Sequence, residues 1–220
     1  MQKTRSYKLL CPIARGLDRL GDRWTLLILR DLLAGPARFS DLQRGLTGIA
    51  ANLLTDRLAK LITDGLVSKQ EGAHGTMLYR LTELGEKTRD IVFDLALFGG
   101  HFPPEGETVD PGNLRTIAVT LGTACQRAVT DDLDFEASMI VDGEPFALSA
   151  RGGKAVMLYQ AAADPDVVLE TTYEALLAVG EGEMDLTEFS QKHARIEVRT
   201  PGKDAEFIKL ITAALALFAT

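Results

Sequence analysis

The sequence is poor in cysteine, with two residues in 220, Cys11 and Cys125. Two thiols make no disulfide framework, and a reducing, cytoplasmic setting is expected. No stretch approaches about 18 uninterrupted apolar residues, so no membrane span is expected. The opening MQKTRSYKLLCPIARGLDRLGD has neither an apolar h-region nor a small-residue cleavage site, so no secretory signal is expected. Histidine is scarce too. His74, His101 and His193 have no second His or Cys at ligand spacing, so no metal and no cofactor is expected. Ser-His-Asp order, a P-loop and a GxGxxG turn are all missing. The acidic run Asp131, Asp132 and Asp134 falls at a strand start and reads as a solvated turn rather than a catalytic pair. Together these absences argue against an enzyme. There is no internal repeat and no low-complexity tract.

What is present is an apolar fraction of 46%, enough for a packed core, beside 25% charged residues. The charge is unevenly spread. Up to Pro104 there are 15 Lys and Arg against 11 Asp and Glu; from Glu105 onward there are 9 against 20. A mildly basic half joined to a strongly acidic one implies two modules with different partners, and only the first should attract nucleic acid. FGGHFPPEGETVDPGN, Phe98 to Asn113, stops helices through its Pro and Gly content. Domains are therefore expected at 1–100 and 113–220, with a linker at 101–112.

In the first half, Pro12 opens an apolar-periodic run (Ile13, Leu17, Leu20) and Gly21 closes it. A second helix is expected from about Trp24 to Leu33, with Trp24, Leu27, Ile28 and Leu32 inward. Ser40 is a good N-cap for a short third helix in SDLQRGL. LTGIAANLLTDRLAKLITDGLV then gives a helix with Leu54, Leu58, Leu61 and Ile62 on one side, ending at Asp64-Gly65. Its other side, with Asn52, Thr55, Asp56, Ala59 and Thr63, is narrow, small and polar, and Arg57 and Lys60 flank it. LVSKQ and MLYRL read as a hairpin around EGAHGT. Thr82 caps one long helix, TELGEKTRDIVFDLALFG. This order is a winged helix-turn-helix, and the slim polar face suits a major groove about 12 Å wide. Candidate DNA-contacting residues are Ser40, Ala51, Asn52, Thr55, Asp56, Arg57 and Lys60, with Lys69, His74 and Arg80 on the wing. The same helix also fits a winged helix that serves as a protein-interaction module.

Across residues 8 to 98 the chain resembles the HxlR-type branch of the MarR-like winged-helix regulators. The resemblance rests on CP at the first helix, GDRWTLLILRDLL, RFSDLQ, LTDRL, DGLV and YRLTELG, in that order. It implies a DNA-binding transcription regulator acting as a homodimer on a palindromic operator. Ala50, Ala51 and Asn52 depart from the Ser and Arg usual at the start of the recognition helix. Ala50 cannot cap through its side chain, at a cost of about 1 kcal/mol against Ser. Cys11 falls at a helix N-cap, where the helix dipole favours a thiolate. The resemblance makes it a candidate redox sensor, and a small residue at a dimer seam fits the same position.

The second half opens with Pro111 and a helix, NLRTIAVTLGTACQRA, whose spacing puts Cys125 in a core. Period-two runs follow: LDFEASMIV, a turn at Asp142-Gly143, PFALSA, AVMLYQA, DVVLE and ARIEVR. A helix capped by Thr171, with Glu174 three residues on, follows the fourth strand, and DAEFIKLITAALALF closes the chain. The expectation is an antiparallel-sheet α+β module. Over residues 130 to 219 it resembles the sterol carrier protein type 2 fold, with His193-Ala194-Arg195 and RTPGKD as departures. That resemblance implies an apolar small-molecule ligand in a pocket lined by Phe135, Met139, Phe146, Met157, Tyr159, Leu176, Phe189 and Phe207. A closed core has the same composition.

Overall fold

The computed structural model describes residues 6–72, 75–102 and 113–218. The chain forms two compact units, Met1–Thr88 and Arg89–Thr220.

In the first unit, α1 (Pro12–Leu20) starts on Pro12 and ends at Gly21, whose N–H donates to the Leu17 carbonyl at 2.8 Å. The start of α2 (Thr25–Leu33) is set by Asp22. Its carboxylate accepts the backbone N–H of Trp24 and of Thr25, each at 3.1 Å, and the Thr25 hydroxyl. These bonds satisfy donors that a helix start leaves orphaned. Ile28, Leu29, Leu32 and Leu33 are buried, whereas Leu27 is exposed and Trp24 half-buried. Next comes α3 (Phe39–Gly45), then a turn that buries Leu46 and Ile49, then α4 (Ala51–Thr63) on the buried Leu54, Leu58 and Leu61. Ile62 is exposed rather than inward. At the end of α4, Gly65 takes φ +73°, its N–H donates to Ile62 O (3.0 Å), and Leu66 N–H donates to Leu61 O (2.9 Å). That is a Schellman stop, and it needs a residue free to turn left-handed.

Strands β1 (Val67–Glu71) and β2 (Met77–Leu81) pair antiparallel, Val67 opposite Leu81 and Glu71 opposite Met77. Ala37 bridges to Tyr79 and ties the α2–α3 connection to this wing. The single long helix expected after Thr82 is broken. Thr82 accepts from Gly85 N–H at 3.1 Å and caps only α5 (Glu83–Glu86). Thr88 then gives both its N–H (3.0 Å) and its hydroxyl (2.7 Å) to the Gly85 carbonyl, closing the turn, and α6 (Arg89–Gly99) begins afresh.

By packing, α6 belongs to the second unit, so the two units part at Thr88 and not in the segment 101–112. Residues 103–112 of that segment, Pro111 with them, lie outside the described residues. α6 lies on α7 (Arg115–Ala128). There Arg127 reaches Asp90 and Asp94 at 2.8 Å each and stacks 4.5 Å over the Phe93 ring. A five-stranded sheet follows, with β3 (Asp134–Val141), β4 (Glu144–Arg151), β5 (Lys154–Leu158), β6 (Val167–Thr171) and β7 (Arg195–Val198) in the order β5-β4-β3-β6-β7. The β3–β4 turn is Asp142-Gly143 with φ +49° and +83°, as a two-residue hairpin demands.

The sheet is mixed, not antiparallel, because β6 runs parallel to β3. Leu158 stands opposite Ala147, which pairs Ser138, and Val167 stands beside Ala137. The end of β5 and the start of β6 are therefore nearly level. The connection 159–166 has only to step sideways past β4 and β3, about 14 Å at the usual strand spacing. The register puts Phe135, Ala137, Met139 and Val141 on one face with Phe146, Leu148, Ala150 and Met157. This face and α7 and α10 (Lys203–Leu215) supply the core, with Leu121, Cys125, Phe207, Leu210 and Ala214 buried on the helices. After β6, α8 (Tyr173–Gly180) is capped by the Thr172 hydroxyl, which accepts from Ala175 N–H at 3.2 Å, one residue later than expected. A short α9 (Leu186–Glu188) and one π turn (Phe189–His193) lead into β7. No helix among the described residues is long and apolar enough to cross a membrane.

Candidate nucleic-acid interface

On α4 the side chains of Ala51, Asn52, Thr55, Asp56, Ala59 and Thr63 are all exposed, opposite the buried leucines. Ala50 is the N-cap and offers no side-chain hydrogen bond. Asn52 Oδ1 accepts from Leu53 N–H at 2.9 Å. The Thr55 and Thr63 hydroxyls each donate to a carbonyl one turn back, Ala51 O and Ala59 O, at 2.9 Å. Their protons are thereby used within the helix, which leaves the methyl groups and the hydroxyl lone pairs to meet a partner.

The two flanking cations do not join this face. Arg57 is half-buried, with Nε 2.9 Å from Asp22 Oδ1, so it braces α4 against the capped start of α2. Lys60 Nζ donates to the Asp18 carbonyl at 2.9 Å, near the end of α1. Arg19 of α1 reaches Asp64, at the end of α4, at 2.8 Å. Three polar links thus hold α1 and α2 to one flank of the helix. Asp18 is itself fixed. The Tyr7 N–H and then the Ser6 hydroxyl hold its carboxyl below the usual carboxylate range.

Ser40 does not cap α3. The cap falls two residues earlier and the helix starts at Phe39, because Asp41 accepts the Arg38 backbone N–H at 3.1 Å, which makes Arg38 the N-cap residue and leaves Ser40 exposed in the first turn. On the wing, Lys69 lies 5.7 Å over the Tyr79 ring, and Arg80 donates to Gln70 at 2.9 Å across the strand pair; both are exposed. His74 lies outside the described residues. The two ends of α3 carry further exposed cations that the sequence reading missed, Arg38 and Arg44. Asp22 was missed as well, and its signal was in view: an acidic residue three before a Thr that opens an apolar run.

Cys11 is the N-cap of α1 and is exposed; its side chain makes no capping bond. In the second unit, Phe135, Met139, Phe146, Met157, Phe189 and Phe207 are buried, while Tyr159 and Leu176 are half-buried. They meet one another in part. Phe135 and Phe207 stack edge-on at 5.9 Å, Phe146 and Tyr159 at 5.3 Å, and the Tyr159 hydroxyl donates to Glu144 at 2.7 Å.

Residues 19–107 match the model of the HxlR-like helix-turn-helix family. An uncharacterized HTH-type transcriptional regulator of Bacillus subtilis, YkvN, is 32% identical over 97 residues, which are 43% of this chain and 82% of that one. An uncharacterized HTH-type transcriptional regulator of Mycobacterium tuberculosis is 36% identical over 97 residues, again 43% of this chain but only 61% of that relative's length. A putative MarR-family regulator from Porphyromonas gingivalis W83, a solved structure, is 31% identical over 43% of this chain and 95% of its own, with a TM-score of 0.40. With that identity over most of the Bacillus relative, and with a winged helix built on Leu54, Leu58 and Leu61, the chain belongs to the HxlR-like helix-turn-helix family.

Proposed function

We propose that the protein is a DNA-binding transcriptional regulator that acts as a homodimer on a palindromic operator. One observation carries this reading. α4 offers a row of small and hydrogen-bonding side chains outward from a leucine-anchored base, next to a wing bearing Lys69 and Arg80. The relatives' names as HTH-type transcriptional regulators support it. Selection from random duplex DNA tests it. A palindrome with half-sites about one turn, ~34 Å, apart is the expected product. Binding should weaken with salt, and Lys69→Ala or Arg80→Ala should each lower affinity across sequences and reduce the salt slope by about 1. If no sequence is enriched at low salt, the winged helix is a protein-interaction module instead.

For the second unit we propose an effector role, with an apolar small molecule held between the sheet and the helices α7 and α10. The sterol-carrier-like order of elements supports it. So does Thr123 of α7, whose hydroxyl is buried without a hydrogen-bond partner among the described residues. A buried polar group in that state is uncommon and is satisfied when a ligand's polar end reaches it. A thermal-shift screen of fatty acids, acyl-CoAs, sterols and aromatic metabolites tests this. A hit whose effect disappears in Thr123→Val supports it; a screen without hits makes the unit a stabilising or dimerising module.

A further inference from the structure

Resting on the DNA-binding reading, we infer that the base pairs read by α4 are A·T pairs, with adenine under Asn52, and that guanine is selected against. The face is poor in donors. A guanine presents two acceptors, N7 and O6, in the major groove, and its usual partner is the two-pronged donor set of Arg or Lys. α4 carries one Arg and one Lys, and neither stands on the outer face: Arg57 is half-buried with Nε 2.9 Å from Asp22, and half-buried Lys60 donates to the Asp18 carbonyl at 2.9 Å. The Thr55 and Thr63 hydroxyls give their protons to Ala51 O and Ala59 O. Asp56 can only accept, and beside guanine O6 and N7 its carboxylate meets two more acceptors.

Asn52 alone on this face has free donors. Its Nδ2 group holds two protons, and its Oδ1, already accepting from Leu53 N–H, has a second lone pair. One donor beside one acceptor is the complement of adenine N7 and N6 and not of guanine. The remaining surface is methyl: Ala51, Ala59 and the γ-carbons of Thr55 and Thr63, all exposed. Methyls meet the C5-methyl of thymine, the one apolar group that a base edge shows in this groove. The acceptor Asp56 takes a proton from adenine N6 or cytosine N4 alike, so the A·T assignment rests on Asn52 and the methyl groups.

The test is selection from random duplex DNA with the wild type, Asn52→Ala and Asn52→Arg, followed by anisotropy titrations on the enriched duplex and on single A·T to G·C exchanges. Asn52 is exposed, and matching melting curves check that all three proteins fold. The wild type should enrich A·T at the positions whose preference is relaxed in Asn52→Ala. One exchange there should weaken wild-type binding about tenfold to a hundredfold, and Asn52→Arg should shift that position toward guanine. A wild-type motif with guanine at those positions, or an Asn52→Ala motif identical to the wild type's, overturns the inference while DNA binding stands. A wild type that enriches no sequence overturns DNA binding itself, and this inference with it.

Discussion

Burial pushes the Cys125 thiol up to about 12, so at neutral pH almost none of it is the nucleophilic thiolate. Cys11 stands in the open at the start of α1. Iodoacetamide at neutral pH should therefore add a single carbamidomethyl group to the folded protein, at Cys11, and a second only after denaturation. Peptide mass spectrometry reads this directly, and an adduct on Cys125 in the native state would refute the assignment. Arg57 teaches a related lesson. The sequence placed it correctly on the flank of α4, but its partner, Asp22, lies 35 residues earlier and is brought to it only by packing. Arg57→Ala should act on stability, by about 1 kcal/mol for a half-buried, charge-assisted contact. Asp22→Ala should cost more, about 1–2 kcal/mol, because it also uncaps α2. Urea melts of both single variants and the double variant measure the shared part, and additive losses would show that the pair does not couple.

Elements whose limits are set by neighbours in sequence were legible; those set by distant partners were not. The α4 stop at Asp64-Gly65 and the Asp142-Gly143 hairpin are local, a glycine or Asp-Gly step in a left-handed turn, and each falls where the pattern put it. The winged-helix order was legible for the same reason. The helix broken at Lys87–Thr88 was not, because a 3.6-residue period continues through it. Thr88 closes the turn on the Gly85 carbonyl, and Gly85 itself packs so tightly that an added Cβ would stand 2.1 Å from the Leu66 carbonyl oxygen and 3.0 Å from Leu81 Cδ2. The parallel β3–β6 pair was hidden too, since alternation is the same in either strand direction and the crossover decides. Gly85→Ala should consequently destabilise the first unit by about 1–3 kcal/mol, as overpacking against backbone does. Gly16→Ala, inside α1 with nothing within 4 Å of the new methyl, should instead stabilise by about 0.4–1 kcal/mol. Thermal melts of the pair would reject the tight packing of Gly85 if the two changes moved the midpoint in the same direction.

At the scale of the whole molecule, each unit carries an apolar stripe that the described residues leave exposed. On α1, Ile13 and Leu17 of the apolar-periodic run are 74% and 48% exposed. On α6, Ile91, Leu95 and Phe98 are 49%, 48% and 60% exposed, spaced four and three apart so that they form one line. Scattered surface leucines are normal, but a stripe aligned along one helix, such as that on α6, which also buries Val92 and Phe93, is what an association surface requires. For the homodimer proposed above, a second copy of the chain is the expected occupant. A palindromic operator calls for two α4 helices related by a two-fold axis, and a two-fold contact uses the same patch from both copies. Two single changes separate this from mere solubility effects. Ile13→Glu and Phe98→Glu place a charge in each stripe without touching α4 or the wing, and each should convert a dimer to a monomer in sedimentation velocity. Affinity for the full palindrome should then fall toward that for a half-site, because the second α4 no longer binds as part of the same particle. Circular dichroism should remain that of the wild type, since both positions are exposed. If both variants still sediment as dimers and bind the palindrome as before, these stripes are not the seam between copies.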